Sequence, residues 1–179
     1  IPDKRQITQT DPAGFQWIET YDRKQHLLSH TDPLGNTTRF TYDQAGNRMS
    51  ITEPLGWTTT FAHDSRANVI ASTNALGQTT RWIFHSFFNR AISEINALGW
   101  TNSYVLDNTT GNLLSHQDAL GTLASYTYLT NGLVETSTDA NGAVTRFGYN
   151  TNGFMTSRID PSTNTWTSTP NEVGWKIAR

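Results

Sequence analysis

The sequence has no cysteine and little charge, and each shortage excludes a class of protein. Without cysteine there is no disulfide framework and no thiolate metal site. Charged residues make up only 16% of the 179 residues, the formal net charge is −2, and no basic run occurs, so the electrostatic footprint of a nucleic-acid-binding protein is missing. No apolar run approaches the roughly 18 residues that a membrane-spanning helix needs. We therefore expect no nucleic-acid partner and no membrane span.

The residues that are abundant favour strands and turns. Hydrophobic residues make up 35% of the chain, and Thr, Ser, Asn and Gly fill much of the rest. This composition predicts an all-β protein. The chain opens at Ile1 rather than at a methionine and shows no signal peptide, so we expect it to be a fragment of a longer polypeptide.

A four-residue turn signal recurs through the chain at a nearly constant spacing. The spacings between successive tetrads are 21, 21, 21, 22, 22, 21 and 21 residues, and such a period marks a repeat architecture. We divide the chain into an N-terminal flank (1–10), seven hairpin repeats (11–159) and a degenerate terminal repeat (160–179). The tetrads begin at Asp11, Asp32, Glu53, Asn74, Asn96, Asp118, Asp139 and Asp160.

Each repeat carries a second turn signal near its middle, as in "YDQAGN", Tyr42–Asn47. Asp or Asn at the start of a turn can bond the backbone two residues on, and Gly accepts the left-handed conformation. Two turns in 21 residues leave two strands of about five to seven residues, which is one β-hairpin per repeat. The expected fold is a long antiparallel ribbon of roughly 15 strands that curves, because open sheets rarely exceed about 10 strands without curling. The turn "HSFFNR", His85–Arg90, gains a residue, which indicates a bulge or local loop.

Large side chains recur two residues apart in the first strand of each repeat. Phe40 and Tyr42 would share one face, with Arg39 and Thr41 on the other. Stacked along the sheet, such pairs form two aromatic rows that we assign to the inner face and that would supply most of the cohesion. The residues in these rows are Phe40, Tyr42, Phe61, Trp82, Phe84, Tyr104, Tyr126, Tyr128, Phe147 and Tyr149.

Neither the aspartates nor the histidines predict a catalytic or metal site. One Asp per repeat at a turn start is what the turn itself needs, whereas calcium requires several converging oxygens. His26 and His30 are four residues apart, a spacing that in a strand separates them by about 13 Å. We therefore expect no catalytic residues, no metal ligands and no cofactor.

Two tryptophans occupy the position that follows the tetrad glycine. Trp57 and Trp100 could stack on sugar rings or on another ligand. They could also continue the aromatic face toward the turn, since their position in the repeat has the same odd or even parity as the positions of the two row aromatics. The residues leave both interpretations open, and the second is the plainer one.

The repeat resembles the YD repeat of RHS proteins, most clearly in "GNTTRFTYDQAGNRMSITEPLG", Gly35–Gly56. The similarity extends from Asp11 to about Arg179, although Tyr-Asp itself stands only at Tyr21–Asp22 and Tyr42–Asp43. Pro170 stands where a Tyr would be in the last repeat, which suits an edge or a terminus.

The resemblance implies a wall element rather than an active site. In RHS proteins such strips wind into a hollow β-cocoon shell, as in bacterial polymorphic and insecticidal toxins and in teneurins. We therefore expect a non-enzymatic scaffold whose partners are flanking RHS repeats of the same polypeptide and a C-terminal toxin as cargo, secreted or at the cell surface. The alternative is a carbohydrate-binding or adhesion surface with a glycan partner. We also expect self-association through the open sheet edges.

Overall fold

A computed structural model describes residues 4–171 and 173–174, and its regular secondary structure is entirely β. Sixteen strands lie in these residues, in one open antiparallel sheet whose spatial order is the order of the sequence. The expected all-β hairpin-repeat fold is thus confirmed, with one strand more than the expected 15 because the residues ahead of the first tetrad form β1. The described residues contain no helix long and apolar enough to cross a membrane. The strands are β1 (Arg5–Thr10), β2 (Gln16–Tyr21), β3 (Leu27–Thr31), β4 (Thr37–Tyr42), β5 (Arg48–Thr52), β6 (Thr58–His63), β7 (Val69–Thr73), β8 (Thr79–Phe84), β9 (Ala91–Ile95), β10 (Thr101–Leu106), β11 (Leu113–Asp118), β12 (Gly121–Tyr128), β13 (Val134–Asp139), β14 (Val144–Tyr149), β15 (Met155–Ile159) and β16 (Thr165–Thr167).

The chain divides into two compact units. The first comprises Ile1–Phe84 with Ile95–Leu98, and the second comprises His85–Glu94 with Gly99–Arg179. Both are built from the same hairpins. Each strand pairs with its sequence neighbour through antiparallel ladders, β1 to β8 in the first unit and β10 to β16 in the second.

The turns at both ends of the hairpins share one backbone structure. In the tetrad at Asp32, the Asp32 N–H donates to the Asn36 carbonyl at 3.0 Å, and the Gly35 N–H donates to the Asp32 carbonyl at 3.0 Å. The midpoint turn at Asp43 has the same two bonds at 2.9 and 3.2 Å. The fourth residue takes a positive φ, 85° at Gly35. This is why glycine recurs there.

Two midpoint turns are one residue longer than the others. The N–H of His85 donates to the carbonyl of Arg90, five residues on, and the N–H of Asp107 donates to the carbonyl of Asn112, again five residues on. The extra residue is held within the turn. These two turns account for the two spacings of 22, and the first is the local loop expected at 85–90.

Six of the midpoint hairpins have a register shift just before the last residue of their first strand. In the hairpin of β4 and β5, Thr41 pairs with Ser50 and Tyr42 with Arg48, so Met49 is the extra residue. A bulge of this kind bends and twists the strand locally. The same shift occurs before Tyr21, His63, Leu106, Tyr128 and Tyr149.

The connectivity gives each unit two different edges, because successive turns of a meander alternate between the ends of its strands. The turns that begin at the tetrads lie along one edge, called the tetrad edge below. The turns near the middle of each repeat lie along the other, called the midpoint edge.

The sheet is held together without an ordinary core. Leu106, 7% exposed, is the one buried hydrophobic side chain among the described residues. Cohesion therefore comes from the hydrogen-bonded ladders and from side chains that half-bury one another on the sheet surface.

The fourth turn position supplies a stability test that isolates backbone conformation. Ala67 occupies it with φ 66°, whereas Gly35 occupies it with φ 85° and has no atom within 4 Å of where a Cβ would stand. The left-handed conformation costs an L-residue roughly 1–2 kcal/mol, in part offset by the greater freedom of glycine in the unfolded chain. We expect Ala67→Gly to raise and Gly35→Ala to lower the free energy of unfolding, each by about 1 kcal/mol, as measured by urea denaturation. A loss of stability in Ala67→Gly would contradict this account.

Candidate functional site

The structure places all ten predicted row aromatics on strands, each half-buried. In β4, Phe40 and Tyr42 are half-buried, while Arg39 and Thr41 between them are exposed. Ile51 stands directly opposite Phe40 on β5, and the Arg48 guanidinium lies over the Phe40 ring, 5.4 Å from its centroid. One face of each unit therefore carries the aromatic rows, and the other is mainly polar, with Ile83 in the first unit and Val105 in the second as exposed apolar residues.

In three repeats the tyrosine of the Tyr-Asp position ties its hairpin to the one before it, whereas the Tyr21 hydroxyl donates to Glu19 Oε2 at 2.7 Å within its own strand. The Tyr42 hydroxyl donates to the Leu27 carbonyl at 3.0 Å, that of Tyr128 to Leu113 at 2.8 Å, and that of Tyr149 to Val134 at 2.9 Å. The acceptor is always 15 residues back, at the first residue of the preceding strand. Burial raises the pKa of Tyr128 and of Tyr149, which keeps each hydroxyl protonated as a donor. Sequence reasoning missed this bond and treated the tyrosine only as an apolar surface.

A matched pair of tyrosines on β12 tests the bond. Tyr128→Phe leaves the Leu113 carbonyl without its donor and should lower the free energy of unfolding by about 1 kcal/mol. Tyr126→Phe is the control, because no described residue hydrogen-bonds the Tyr126 hydroxyl, and its effect should stay within about 0.5 kcal/mol. Chemical denaturation compares the two variants. Equal effects would assign the loss to packing instead of to the hydrogen bond.

The turn aspartates are fully engaged by their own turns. Asp32 Oδ1 accepts the N–H groups of Leu34 and Asn36 at 2.9 Å each, and Oδ2 accepts the Asn36 side-chain amide at 2.8 Å. That side-chain amide, followed by the backbone N–H groups, holds the pKa of Asp32 below its usual value of 3.8. The same cause, an Asn four residues on, lowers the pKa of Asp43, Asp64 and Asp160.

The histidines do not converge on one site. His26 Nδ1 lies 2.9 Å from Asp22 Oδ2, and its ring stacks on Tyr42 with centroids 4.7 Å apart, whereas His30 Nδ1 lies 3.5 Å from Glu19 Oε1. Within residues 4–171 and 173–174, no three His, Asp or Glu side chains form a group that could hold a metal ion.

His85 replaces the turn aspartate in function as well as in position. Its Nδ1 accepts the N–H groups of Phe87 and Phe88 at 3.1 and 3.2 Å. An unprotonated imidazole nitrogen is an acceptor, as a carboxylate oxygen is. The degenerate turn therefore keeps a side-chain acceptor at its first position.

The two tryptophans with a possible role in ligand stacking are exposed on the tetrad edge, 61% for Trp57 and 55% for Trp100. Trp57 borders a groove of about 520 Å³ between the turns that begin at Glu53 and Asn74; its other lining residues are Thr59, Ala75 and Leu76. In other repeats an amide side chain occupies the tryptophan position and bonds the first residue of its own turn; these are Asn36, Gln78 and Asn164.

The polar face carries a feature that sequence reasoning missed. Threonines on either side of successive tetrads hydrogen-bond across the strands, Thr31 with Thr37 at 2.9 Å and Thr52 with Thr58 at 2.9 Å. Thr73 and Thr79 repeat the contact at 2.8 Å. The signal was present as a Thr pair six residues apart with a 21-residue period.

Sequence comparison matches this architecture to a family. A sequence model of the RHS Repeat matches residues 21–56 and 128–165. Those two segments are RHS repeats. The first match contains Gly35–Gly56, so the resemblance inferred from that segment is confirmed. No curated protein matches the chain.

Three solved structures of Tc toxin components are similar in fold to this chain. A Tc holotoxin pore from Photorhabdus luminescens with a mutated TccC3 is 16% identical over 88% of this chain and 10% of its own, with a TM-score of 0.66. A TcdB2–TccC3 complex without its hypervariable C-terminal region is 15% identical over 94% and 11%, with a TM-score of 0.64. TcdB2–TccC3 itself is 14% identical over 93% and 11%, with a TM-score of 0.62. These similarities show a shared fold, and the chain spans about a tenth of the length of those neighbours.

Proposed function

We propose that this RHS-repeat chain is a non-enzymatic wall segment of a shell that encloses a polypeptide cargo. The observation that carries the proposal is the division of each unit into an aromatic face and a polar face without a buried core. An aromatic face left half-exposed favours a second surface laid against it. A cargo chain enclosed by the shell would supply that surface.

The roles taken by the polar side chains support a structural function. The turn carboxylates accept bonds from their own backbone, and His26 and His85 complete turns and ring stacks. A catalytic base or nucleophile has to be available to a substrate in the right geometry. Here these groups are committed to turn geometry in repeat after repeat.

The identity of the cargo rests on the neighbours. One of them is described as lacking a hypervariable C-terminal region, and another is a Tc holotoxin pore. We propose by analogy that the cargo is a C-terminal toxin, that further RHS repeats of the same polypeptide complete the wall, and that the assembly is secreted or acts at the cell surface.

Removing whole repeats from the parent polypeptide tests enclosure. Deletion of 32–73 takes out two complete repeats and leaves the flanking strands in phase, so the ladder can close. In the intact parent we expect the C-terminal region to resist protease, and in the deletion variant we expect it to be cleaved at least tenfold faster. Ala67→Gly in the intact parent is the control that should preserve protection. Equal cleavage of the intact parent and the deletion variant would reject the proposal.

A glycan-binding surface is the second candidate, supported by the exposed indoles. Trp57 stands beside Glu53, whose carboxylate bonds to no described residue, and an aromatic ring beside a carboxylate suits a sugar. If glycans bind here, Trp57→Ala and Trp100→Ala should abolish glycan-array signals. Phe87→Ala, which removes an even more exposed aromatic on the midpoint edge, should leave them intact. An array with no signal for the unaltered chain would remove this candidate.

A further inference from the structure

Consecutive turns along the midpoint edge pack against each other. A Cβ on Gly46 would lie 2.9 Å from His26 Nε2, so the ring of one turn rests on the glycine of the next turn. The Lys24 ammonium also donates to the Gln44 carbonyl at 2.8 Å across the same pair of turns. In the second unit the same relation joins Phe88 to Gly111, Leu133 to Gly153 and Phe154 to Gly174, and Gly132 is the one midpoint glycine in the described residues with no atom within 4 Å of a Cβ position.

The tetrad edge lacks this packing. At each of its glycines the position of a Cβ has no neighbouring atom within 4 Å, apart from the adjacent residues of the chain. Consecutive tetrad turns therefore leave open space between them, as the groove at Trp57 illustrates. The glycines concerned are Gly14, Gly35, Gly56, Gly77, Gly99, Gly121 and Gly142.

The tetrad edge is also the more apolar of the two edges. Five of its turns place a leucine at the third position, where it is 78–86% exposed. The turn does not require leucine, because the N–H of Arg66 bonds Asp64 Oδ1 at 2.9 Å on the midpoint edge just as the N–H of Leu34 bonds Asp32 Oδ1 at 2.9 Å. The leucines are Leu34, Leu55, Leu76 and Leu98 in the first unit and Leu120 in the second.

The midpoint edge carries mostly polar residues at the same position. Exposed leucines in register along one edge, with polar residues on the other, indicate an interface instead of chance exposure. Phe87 and Val173 are the large apolar exceptions. The polar residues are Lys24, Arg66, Thr109, Asn131 and Asn152.

We propose that the tetrad edge is an interaction surface and that its partner is the tetrad edge of a second copy of this chain. Successive leucines are separated by two strand steps, about 9.6 Å at roughly 4.8 Å per step. A second tetrad edge presents apolar tips at the same spacing, so each leucine of one copy can enter a groove between two turns of the other. The groove between 53–56 and 74–77 offers the Trp57 indole, Ala75 and Leu76 as apolar walls, and its volume of about 520 Å³ accepts a leucine side chain.

This pairing differs from strand addition at the ends of the sheet. Strand addition uses the unpaired backbone groups of a terminal strand, such as β1, whereas the proposed contact uses side chains at the turn tips. It is also independent of the proposed wall function, because it uses only the difference between the two edges. A self-complementary contact of this kind generates a two-fold symmetric pair.

Matched triple variants of the whole chain provide the first test. Leu34→Asn, Leu55→Asn and Leu76→Asn together should weaken self-association at least tenfold in sedimentation equilibrium. Asn is compatible with the turn, since the N–H of Asn141 makes the same bond to Asp139 at 2.8 Å. The control changes the same turn position on the other edge, Lys24→Asn, Ala45→Asn and Arg66→Asn, and should leave association within twofold. A monomeric unaltered chain, or equal effects of the two triples, would overturn the proposal.

Single cysteines provide a second test that does not depend on affinity. The chain has no native cysteine, so each introduced thiol is unique. Under mild oxidation Leu76→Cys should give a covalent dimer, while Arg66→Cys, at the same turn position on the midpoint edge, should remain monomeric. Cross-linking of Arg66→Cys alone, or of both variants equally, would place the contact elsewhere. Association abolished by Ile7→Pro in β1 but unchanged in the leucine triple would assign it to strand addition and overturn the proposal.

Discussion

The fold depends on one local interaction, the pair of backbone hydrogen bonds that closes the turns, which most turns strengthen with a side-chain acceptor at their first position. A five-residue strand cannot choose its partner by length alone, and the turn fixes the register for it. Asp32 and Asn74 supply an oxygen for this purpose, and His85 supplies a ring nitrogen. The family signature can therefore degenerate in this chain without loss of the hairpins, because the turns that begin at Glu53 and Leu129 keep these backbone bonds although their first side chain accepts none from a described residue.

The ribbon also shows how a sheet can be stable without a buried core. Each hairpin contacts only its neighbours, as in other repeat proteins, so stability accumulates along the chain from one contact to the next. The tyrosine bond to the preceding hairpin and the ring of His26 over the next turn are two such contacts. They act in opposite directions along the chain, so an internal hairpin is held on both sides.

The features that could be predicted from the sequence are those that recur at a fixed spacing. Tetrads at constant spacing gave the hairpins, and alternation in Phe40 and Tyr42 gave the two faces, because turn chemistry and side-chain parity are local rules. The functions of the same residues were less accessible. The bond from Tyr42 to the Leu27 carbonyl is made beside a register shift, and no residue type in the sequence predicts that shift. The contact of the His26 ring with Gly46 depends on how consecutive turns pack, which the sequence does not show either. The exposure of Leu34 could have been inferred from its turn position, but its contrast with Lys24 became meaningful only once the two edges were distinguished.

The sequential order of the strands has a consequence for how such a chain is made. Large β-sheets usually fold slowly because their pairings join distant segments. Here the ladders, the tyrosine bonds and the packing of one midpoint turn on the next each join residues within about two dozen positions of one another. A ribosome that has released one repeat has released nearly everything that the repeat needs in order to fold, so the ribbon can lengthen at the rate of translation and need not wait for its far end.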